Sequence, residues 1–264
     1  MMLLRRLHFL KRNESACLCP VCQNVIYRYR IQNGFKLLVC NQCGLIFWNN
    51  NFEGIDELFK INSLPEERPH EGELCSLRWG QTLFLKKEYT NSKSLLDFGC
   101  GNGNFLAACL RNNIQAIGCE ASDNLLKFCK QNNQIVFPNT LNLKSSSLDF
   151  ITMWEVIEHI SHPVKVFDDL KRIIKPGGKL ILSTPNFRHP AVSKTKLIRY
   201  WPPYHVTFWD KRSLLYFLHN QGFKILNIYY RPFQWSILKQ HNLKKTLHEI
   251  YLIGMEIVII AQKI

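Results

Sequence analysis

The chain has 264 residues, of which 46% are hydrophobic and 20% are charged, a composition that excludes an intrinsically disordered protein. Its net charge of +14 is compatible with nucleic acid, an acidic substrate or peripheral contact with an anionic membrane, but no dense basic block selects one of these partners. No apolar run is long enough to span a bilayer, and residues 1–12 lack the features of a secretory signal, so we expect a cytoplasmic protein.

Two C-x2-C pairs near the N-terminus predict a structural zinc site. The pairs are formed by Cys19, Cys22, Cys40 and Cys43. Apolar and polar residues alternate between the pairs, and Asn33-Gly34 is typical of a two-residue hairpin turn. Cys17 competes with Cys19 as a ligand, but only Cys19 has the required spacing to its pair partner. Four thiolates complete a tetrahedral zinc site and leave no open position, so we expect a zinc ribbon whose ion does no chemistry.

Short apolar strands then alternate with amphipathic helices. Strands are predicted at residues 94–98, 115–120, 135–137, 149–153, 179–184, 224–230 and 255–261. Helices are predicted at residues 73–89 and 211–220, and another from Pro163 through Ile174, with a stop at 175–178. A helix is also predicted after Gly103, with one face formed by Phe105, Leu106, Cys109 and Leu110. A further helix is predicted to follow Ser122, which would cap it. Repeated strand-helix units predict a parallel sheet with helices on both faces.

A glycine-rich turn follows the first of these strands, in residues 95–103 (LLDFGCGNG). Its glycines let the backbone turn sharply and let a ligand approach closely, and they occupy every second position: Gly99, Gly101 and Gly103. A dinucleotide fingerprint would place the third glycine one residue later. Asp97 precedes the turn, where a carboxylate suits a cationic ligand better than a pyrophosphate. Glu120 ends the second strand, where a carboxylate can accept ribose hydroxyls in either kind of site.

These residues resemble a known family. Residues 95–103 resemble motif I of the class I S-adenosylmethionine-dependent methyltransferases, and residues 148–160 (LDFITMWEVIEHI) resemble the fourth-strand region of that family. The resemblance covers about residues 73–264 and is closest to small-molecule O-methyltransferases such as those of ubiquinone biosynthesis. It implies an α/β fold with a Rossmann-like, seven-stranded, mostly parallel sheet in the strand order 3-2-1-4-5-7-6. The N-terminal ribbon is similar to an appendage of methyltransferases from polysaccharide and secondary-metabolite pathways.

The resemblance also implies roles for individual residues toward S-adenosylmethionine. The three glycines would line its methionine and ribose parts, Asp97 would face its amino group and Glu120 its ribose diol. Trp154 would border the cofactor, and Arg78 matches an arginine that some relatives aim at the cofactor carboxylate. Residues 138–141 (PNTL) lack the acid that relatives often carry before the adenine contact.

Methylation of a hydroxyl requires removal of its proton, and histidine is the natural base near neutral pH. His159 follows Glu155 by four residues, so on a helix both would face the pocket. His205 lies in an aromatic insert, residues 187–209, that resembles the acceptor lid of related enzymes. The alternatives are a structural hydrogen bond for His159 and lid packing for His205, while His162 is expected to cap the next helix. Metal-dependent O-methylation is not expected, because no carboxylate cluster for Mg²⁺ is visible.

We therefore predict an enzyme that transfers a methyl group from S-adenosylmethionine to a small-molecule acceptor, such as a hydroxyl of a biosynthetic intermediate, sugar or quinone-like compound. The first alternative is an RNA methyltransferase that uses the ribbon and the basic surface, and the second is a non-catalytic binding protein with a relic domain. The expected organisation is an extension (1–16), the zinc ribbon (17–48), a linker (49–72) and a methyltransferase domain (73–264) with the lid insert 187–209.

Overall fold

The structure is a computed structural model that describes residues 8–9, 17–48, 77–87, 93–232, 247 and 253–264. The predicted linker and the predicted helical residues 73–76 and 88–89 lie outside these ranges. The N-terminal strands are β1 (His8–Phe9), β2 (Cys17–Leu18), β3 (Val25–Ile26), β4 (Arg28–Gln32), β5 (Phe35–Val39) and β6 (Ile46–Trp48). The hairpin β4–β5 is the predicted one, and its turn residues Asn33 and Gly34 have φ values of +49° and +84°.

The rest of the chain alternates helices and strands. Its elements are α1 (Trp79–Lys87), β7 (Leu95–Phe98), α2 (Asn104–Arg111), β8 (Ala116–Cys119), α3 (Asp123–Gln131), β9 (Val136–Phe137), β10 (Leu148–Trp154), α4 (Pro163–Ile173), β11 (Ile174–Pro185), α5 (Pro190–Ser193), β12 (Thr207–Phe208), α6 (Lys211–Asn220), β13 (Phe223–Tyr230) and β14 (Glu256–Lys263). Short 3-10 turns occur at Ile157–His159 and Ile198–Tyr200.

A seven-stranded sheet has the order β9-β8-β7-β10-β11-β14-β13. Its strands are parallel except β14, which pairs antiparallel with both β11 and β13. The predicted class and strand order are confirmed. Parallel strands bring the carboxyl ends of β7, β8 and β10 to one edge, which is where ligands bind in open α/β sheets.

Neighbouring residues of each strand face opposite sides of the sheet, and both sides are covered. Leu95 packs with Phe84 of α1 and Phe105 of α2 in one cluster. Leu96 belongs to the other cluster, with Phe167 of α4 and with side chains of α6. The ribbon residues around the cysteine pairs belong to this second cluster, so the ribbon shares its core with the α4 and α6 face.

The structure corrects several details of the sequence analysis. The predicted helix stop at 175–178 is already strand, because β11 begins at Ile174, which is buried and pairs with Leu148 instead of lying on the helix face. Leu110 is 70% exposed and does not face inward. Ser122 and His162 occupy the positions before α3 and α4, but neither side chain makes a capping hydrogen bond within the described chain.

The predicted lid insert is joined to the ribbon. Strand β12 lies inside residues 187–209 and pairs antiparallel with β6, so it becomes the fifth strand of the sheet β1-β4-β5-β6-β12.

No helix in the described part of the chain is long and apolar enough to cross a membrane.

Candidate cofactor and acceptor sites

A buried carboxylate stands at the carboxyl end of β7. Asp97 is 2% exposed and accepts a hydrogen bond from Thr152 Oγ1 of the neighbouring strand at 2.8 Å. Among the described residues it forms no ion pair. Burial raises the pKa of Asp97 to about 7, the Thr152 bond opposes this shift, and the nearby charge of Glu120 adds to it. Such a site favours a ligand that brings its own positive charge.

The glycine turn combines positive backbone angles with an open surface. Gly99, Gly101 and Gly103 have φ values of +74°, +57° and +75°. A Cβ on Gly99 would lie 2.5 Å from a methyl group of Val156, and one on Gly103 would collide with Gln134. A Cβ on Gly101 would meet no described atom within 4 Å. The turn is therefore tight at both ends and open in the middle, which suits close approach of a ligand to the backbone.

Glu120 closes the other side of this turn. Its carboxylate accepts the backbone N–H of Gly101 at 2.9 Å and that of Ser122 at 2.9 Å. These bonds hold the carboxylate beside the glycine turn, where a ribose diol would compete for its oxygens. The structure thus brings Asp97, the glycines and Glu120 together at one edge of the sheet.

Two predicted cofactor residues have other contacts. The Trp154 ring lies 5.4 Å from Phe105 and 6.4 Å from Phe84 between ring centroids, inside the aromatic core under α1. Its Nε1 is buried and has no hydrogen-bond partner among the described residues. Arg78 precedes α1, and its Nη1 lies 3.9 Å from the Glu155 carboxylate at a half-exposed position. Arg78 therefore lies beside the carboxyl end of β10, and Trp154 packs into the core at the same end. Their roles toward the cofactor stay predictions.

The chain leaves β10 through a buried acidic turn. Glu155 has a φ of +57° and precedes a 3-10 turn, so the helical spacing assumed for Glu155 and His159 is wrong. Burial and the charges of Glu158 and Glu256 raise the pKa of Glu155 well above its usual value. Glu158 is 2% exposed, and its Oε2 accepts a hydrogen bond from Thr184 at 2.9 Å. Its Oε1 has no partner in the described chain, and burial raises its pKa.

The two predicted catalytic histidines meet beside Glu158. Their ring centroids are 4.8 Å apart and nearly perpendicular, and His159 Nδ1 lies 2.6 Å from the Tyr204 carbonyl. Burial, with the nearby charges of His159 and Arg199, lowers the pKa of His205 well below its usual value. Glu158, His159 and His205 each offer one ligand atom within 4.8 Å of the others. One carboxylate and two imidazoles form a donor set that suits a divalent cation.

Glu158 is thus the residue that sequence reasoning missed. Its signal was present in the Glu-x-x-Glu-His order of residues 155–159, but His205 comes from a distant part of the chain.

A small cavity opens between this cluster and the insert. It is lined by Glu158, Pro185, Phe187, Val192, His205, Thr207, Phe208 and Trp209.

The four predicted zinc ligands converge in the ribbon. Cys19 Sγ lies 3.6 Å from Cys43 Sγ, Cys22 Sγ lies 3.5 Å from Cys40 Sγ, and all four ligand atoms lie within 4.8 Å of one another. Sulfurs around a tetrahedral zinc ion are about 3.8 Å apart, given Zn–S bonds of about 2.3 Å. The four thiols fit zinc, and Cys17 is outside the cluster.

Curated proteins provide relatives over part of the chain. Over 113 residues it is 29% identical to a ubiquinone biosynthesis O-methyltransferase from Coxiella burnetii, covering 39% of this chain and 48% of that protein. Over 141 residues it is 26% identical to a tRNA (carboxymethyluridine(34)-5-O)-methyltransferase from Arabidopsis thaliana, covering 51% of this chain and 34% of that protein. The chain spans half or less of the length of these relatives.

Solved structures share the fold. An S-adenosylmethionine-dependent methyltransferase from Mesorhizobium loti superposes with a TM-score of 0.59 at 14% identity, over 72% of this chain and all of that one. One from Archaeoglobus fulgidus gives a TM-score of 0.55 at 19% identity, over 69% and 92% of the two chains. Residues 67–228 match the family described as a methyltransferase domain. The chain belongs to this methyltransferase-domain family, and its fold is that of the class I S-adenosylmethionine-dependent methyltransferases.

Proposed function

We propose that this protein methylates a hydroxyl oxygen of a small-molecule acceptor. The observation that carries the proposal is the pairing of two sites at one edge of the sheet. The buried Asp97 and its open glycine turn lie at the end of β7, and the cluster of Glu158, His159 and His205 follows the neighbouring strand β10. One site suits a cationic cofactor, and the other suits an acceptor that must lose a proton.

On the cofactor side, Asp97 is the counter-charge for an ammonium group, and its burial makes that pairing strong. Glu120 is held by the Gly101 and Ser122 amides in a position to accept ribose hydroxyls. S-adenosylmethionine supplies a methyl group already activated by its sulfonium. The remaining work of the chain is to orient the acceptor and remove its proton, and orientation alone can lower a barrier by several kcal/mol.

On the acceptor side, the His205 imidazole would take the hydroxyl proton while the acceptor oxygen displaces the methyl group from sulfur. The C–S bond would break as the C–O bond forms, and the cofactor would leave as a neutral thioether. Its lowered pKa keeps it uncharged at neutral pH and thus able to accept a proton. His159 is oriented by the Tyr204 carbonyl and packs edge-on against the His205 ring.

A second route to the same reaction uses a divalent cation. The unpartnered Glu158 Oε1 favours this route, because a buried carboxylate oxygen without a hydrogen bond is costly unless a ligand satisfies it. Glu158, His159 and His205 would hold the cation, which would lower the pKa of a bound hydroxyl. The sequence shows no carboxylate cluster for Mg²⁺, whereas this site needs only one carboxylate together with two imidazoles.

Two observations support oxygen as the accepting atom and a small molecule as the acceptor. The ubiquinone and tRNA relatives both carry O-methyltransferase names, although they act on different kinds of substrate. The cavity beside His205 is lined by Phe187, Phe208 and Trp209 of the insert, and such aromatic walls suit a flat or apolar acceptor.

The test is label transfer from methyl-labelled S-adenosylmethionine to two substrate pools, a small-molecule extract and total RNA, at low enzyme concentration. We expect label in the small-molecule pool, in a product that resists the acid and base treatments that cleave methyl esters. Label confined to RNA would overturn the small-molecule assignment. Binding of S-adenosylmethionine without transfer to either pool would favour the relic-domain alternative.

A further inference from the structure

The outer strand of the ribbon is also a strand of the acceptor wall. In the pairing of β6 with β12, Phe47 is opposite Thr207 and Ile46 is opposite Phe208. The Trp48 N–H donates to the Val206 carbonyl at 2.9 Å. The ribbon therefore forms backbone hydrogen bonds with the residues that directly follow His205.

The same segment is fixed on its other side to the acidic turn. The Val206 N–H donates to the Glu158 carbonyl at 2.9 Å, and Thr207 Oγ1 donates to the Ile157 carbonyl at 3.0 Å. Residues 205–208 thus lie between the ribbon and the turn that carries Glu158 and His159. The position of His205 depends on both contacts.

Side chains of the ribbon hold the first half of the insert as well. Gln32 Nε2 donates to the Ser193 carbonyl, and Asn33 Nδ2 donates to the Thr195 carbonyl at 2.9 Å. Leu37 is fully buried in a cluster with the insert side chains Phe187, Val192, Trp201 and Phe208. Three of these, Phe187, Val192 and Phe208, also line the cavity beside His205.

The cysteine end of the ribbon is anchored separately. Arg212 of α6 donates to the carbonyls of Asn41 and Gln42 at 3.1 Å each, and Gln42 Nε2 donates to the Tyr216 hydroxyl at 2.9 Å. Asn41 and Gln42 lie between the ligands Cys40 and Cys43. The ribbon is therefore held at one end by the methyltransferase core and contacts the acceptor insert at the other.

We infer that the ribbon positions the acceptor site, with Leu37 as its principal positioning residue. This inference rests on the proposed function, since it assigns the insert to acceptor binding. The ribbon makes none of the described hydrogen bonds of Asp97 or Glu120. Loosening the ribbon should therefore impair acceptor use while leaving cofactor affinity intact.

The test compares Leu37→Ala with Leu38→Ala in the full chain. Both residues are on β5 and at most 1% exposed, but Leu38 belongs to the core shared with α4 and α6 instead of the insert cluster. Hydrogen–deuterium exchange of residues 205–208 is measured beside that of residues 95–104. Affinity for S-adenosylhomocysteine and label transfer to the small-molecule extract are measured in parallel.

We expect Leu37→Ala to speed exchange at residues 205–208 about tenfold and to leave residues 95–104 and S-adenosylhomocysteine affinity unchanged. Label transfer by Leu37→Ala should fall because the apparent KM for the extract rises. Leu38→Ala, compared under conditions in which the two variants are equally stable to heat, should show neither the faster exchange nor the higher KM. Asn33→Gly, which keeps the turn, should give the same pattern more weakly.

Equal exchange at residues 205–208 in Leu37→Ala and wild type would overturn the inference, as would equal effects of the two leucine variants. If wild-type protein transfers no label, the proposed function fails. The exchange comparison still decides in that case whether the ribbon fixes the His205 segment.

Discussion

The proposed cofactor half and the proposed acceptor half of this site are built in different ways. The cofactor half comes from one stretch, residues 95–122, in which a strand end, three glycines and the next strand end provide the groups. The acceptor half combines the turn after β10, the insert 187–209 and the ribbon, which are far apart in sequence. The cofactor half depends on the backbone of one short stretch, so single substitutions there should act on it alone. The acceptor half depends on packing between segments, so a substitution in one segment should affect the others.

The largest effect is expected within the acceptor half. His205→Ala should lower turnover by about 10²- to 10⁴-fold, the usual contribution of a general base, with cofactor affinity nearly unchanged. Glu158→Gln should be less damaging if His205 acts as a base alone. Steady-state label transfer measures both variants, and normal turnover in His205→Ala would make it a packing residue.

Metal dependence separates the two routes of proton removal. If Glu158, His159 and His205 hold a divalent cation, EDTA should abolish transfer, Mg²⁺ or Mn²⁺ should restore it, and Glu158→Gln should be as inactive as His205→Ala. Metal analysis should show that the cysteine-bound zinc stays in place during this treatment. Full activity in EDTA would exclude the metal route and support proton removal by His205 as a general base.

Within the cofactor half, Asp97→Asn should weaken S-adenosylmethionine binding while stabilising the free protein at pH 8. The folded-state pKa of Asp97 is raised to about 7 from 3.8, so its contribution to stability is present below pH 4 and is lost as pH rises through 7. Three pKa units correspond to a cost on the order of 4 kcal/mol in the ionised protein, which a bound ammonium offsets. Cofactor affinity of wild type should accordingly increase from pH 6 to pH 8.

Calorimetry and thermal unfolding across that pH range measure both effects. Asp149→Asn is the matched control, because Asp149 lies at the opposite end of β10 and binds Ser94 and Lys175. It should lose stability and keep cofactor affinity. Unchanged affinity in Asp97→Asn would refute the role assigned to Asp97.

The smallest effects distinguish two glycines of the same turn. Gly99→Ala should destabilise the fold by a few kcal/mol, because its φ is positive and the new methyl would collide with Val156. Gly101→Ala should destabilise the fold only through backbone strain at its positive φ, which costs about 1 kcal/mol. Its new methyl group would lie on the open surface of the turn, where the cofactor is proposed to bind. Gly101→Ala should therefore lose more cofactor affinity than stability. The opposite ranking in unfolding and binding experiments would place the cofactor elsewhere.

The difference between the halves also explains what the sequence could predict. Asp97 lies at the carboxyl end of β7, and the glycines and Glu120 follow strand ends, all of which the apolar runs of the sequence reveal. The C-x2-C spacing predicts the converging cysteines. The pairing of β6 with β12 has no local signal, because it joins segments about 160 residues apart. Glu158 has no sufficient signal of its own, because His205, its partner in the cluster, comes from a distant segment of the chain. The turn after β10 is not helical either, since Glu155 adopts a positive φ and a 3-10 turn follows.

Titration of the protein with S-adenosylmethionine, before and after removal of the cysteine-bound metal, tests the account most directly. Metal analysis should first find one zinc per chain. We predict one-to-one binding with nearly equal affinity in both states, together with faster hydrogen exchange at residues 205–208 only after metal removal. In this account the cofactor half forms without the ribbon, and the ribbon supports only the acceptor half. This arrangement would be contradicted if the zinc-loaded protein did not bind S-adenosylmethionine, or if removal of the zinc abolished that binding.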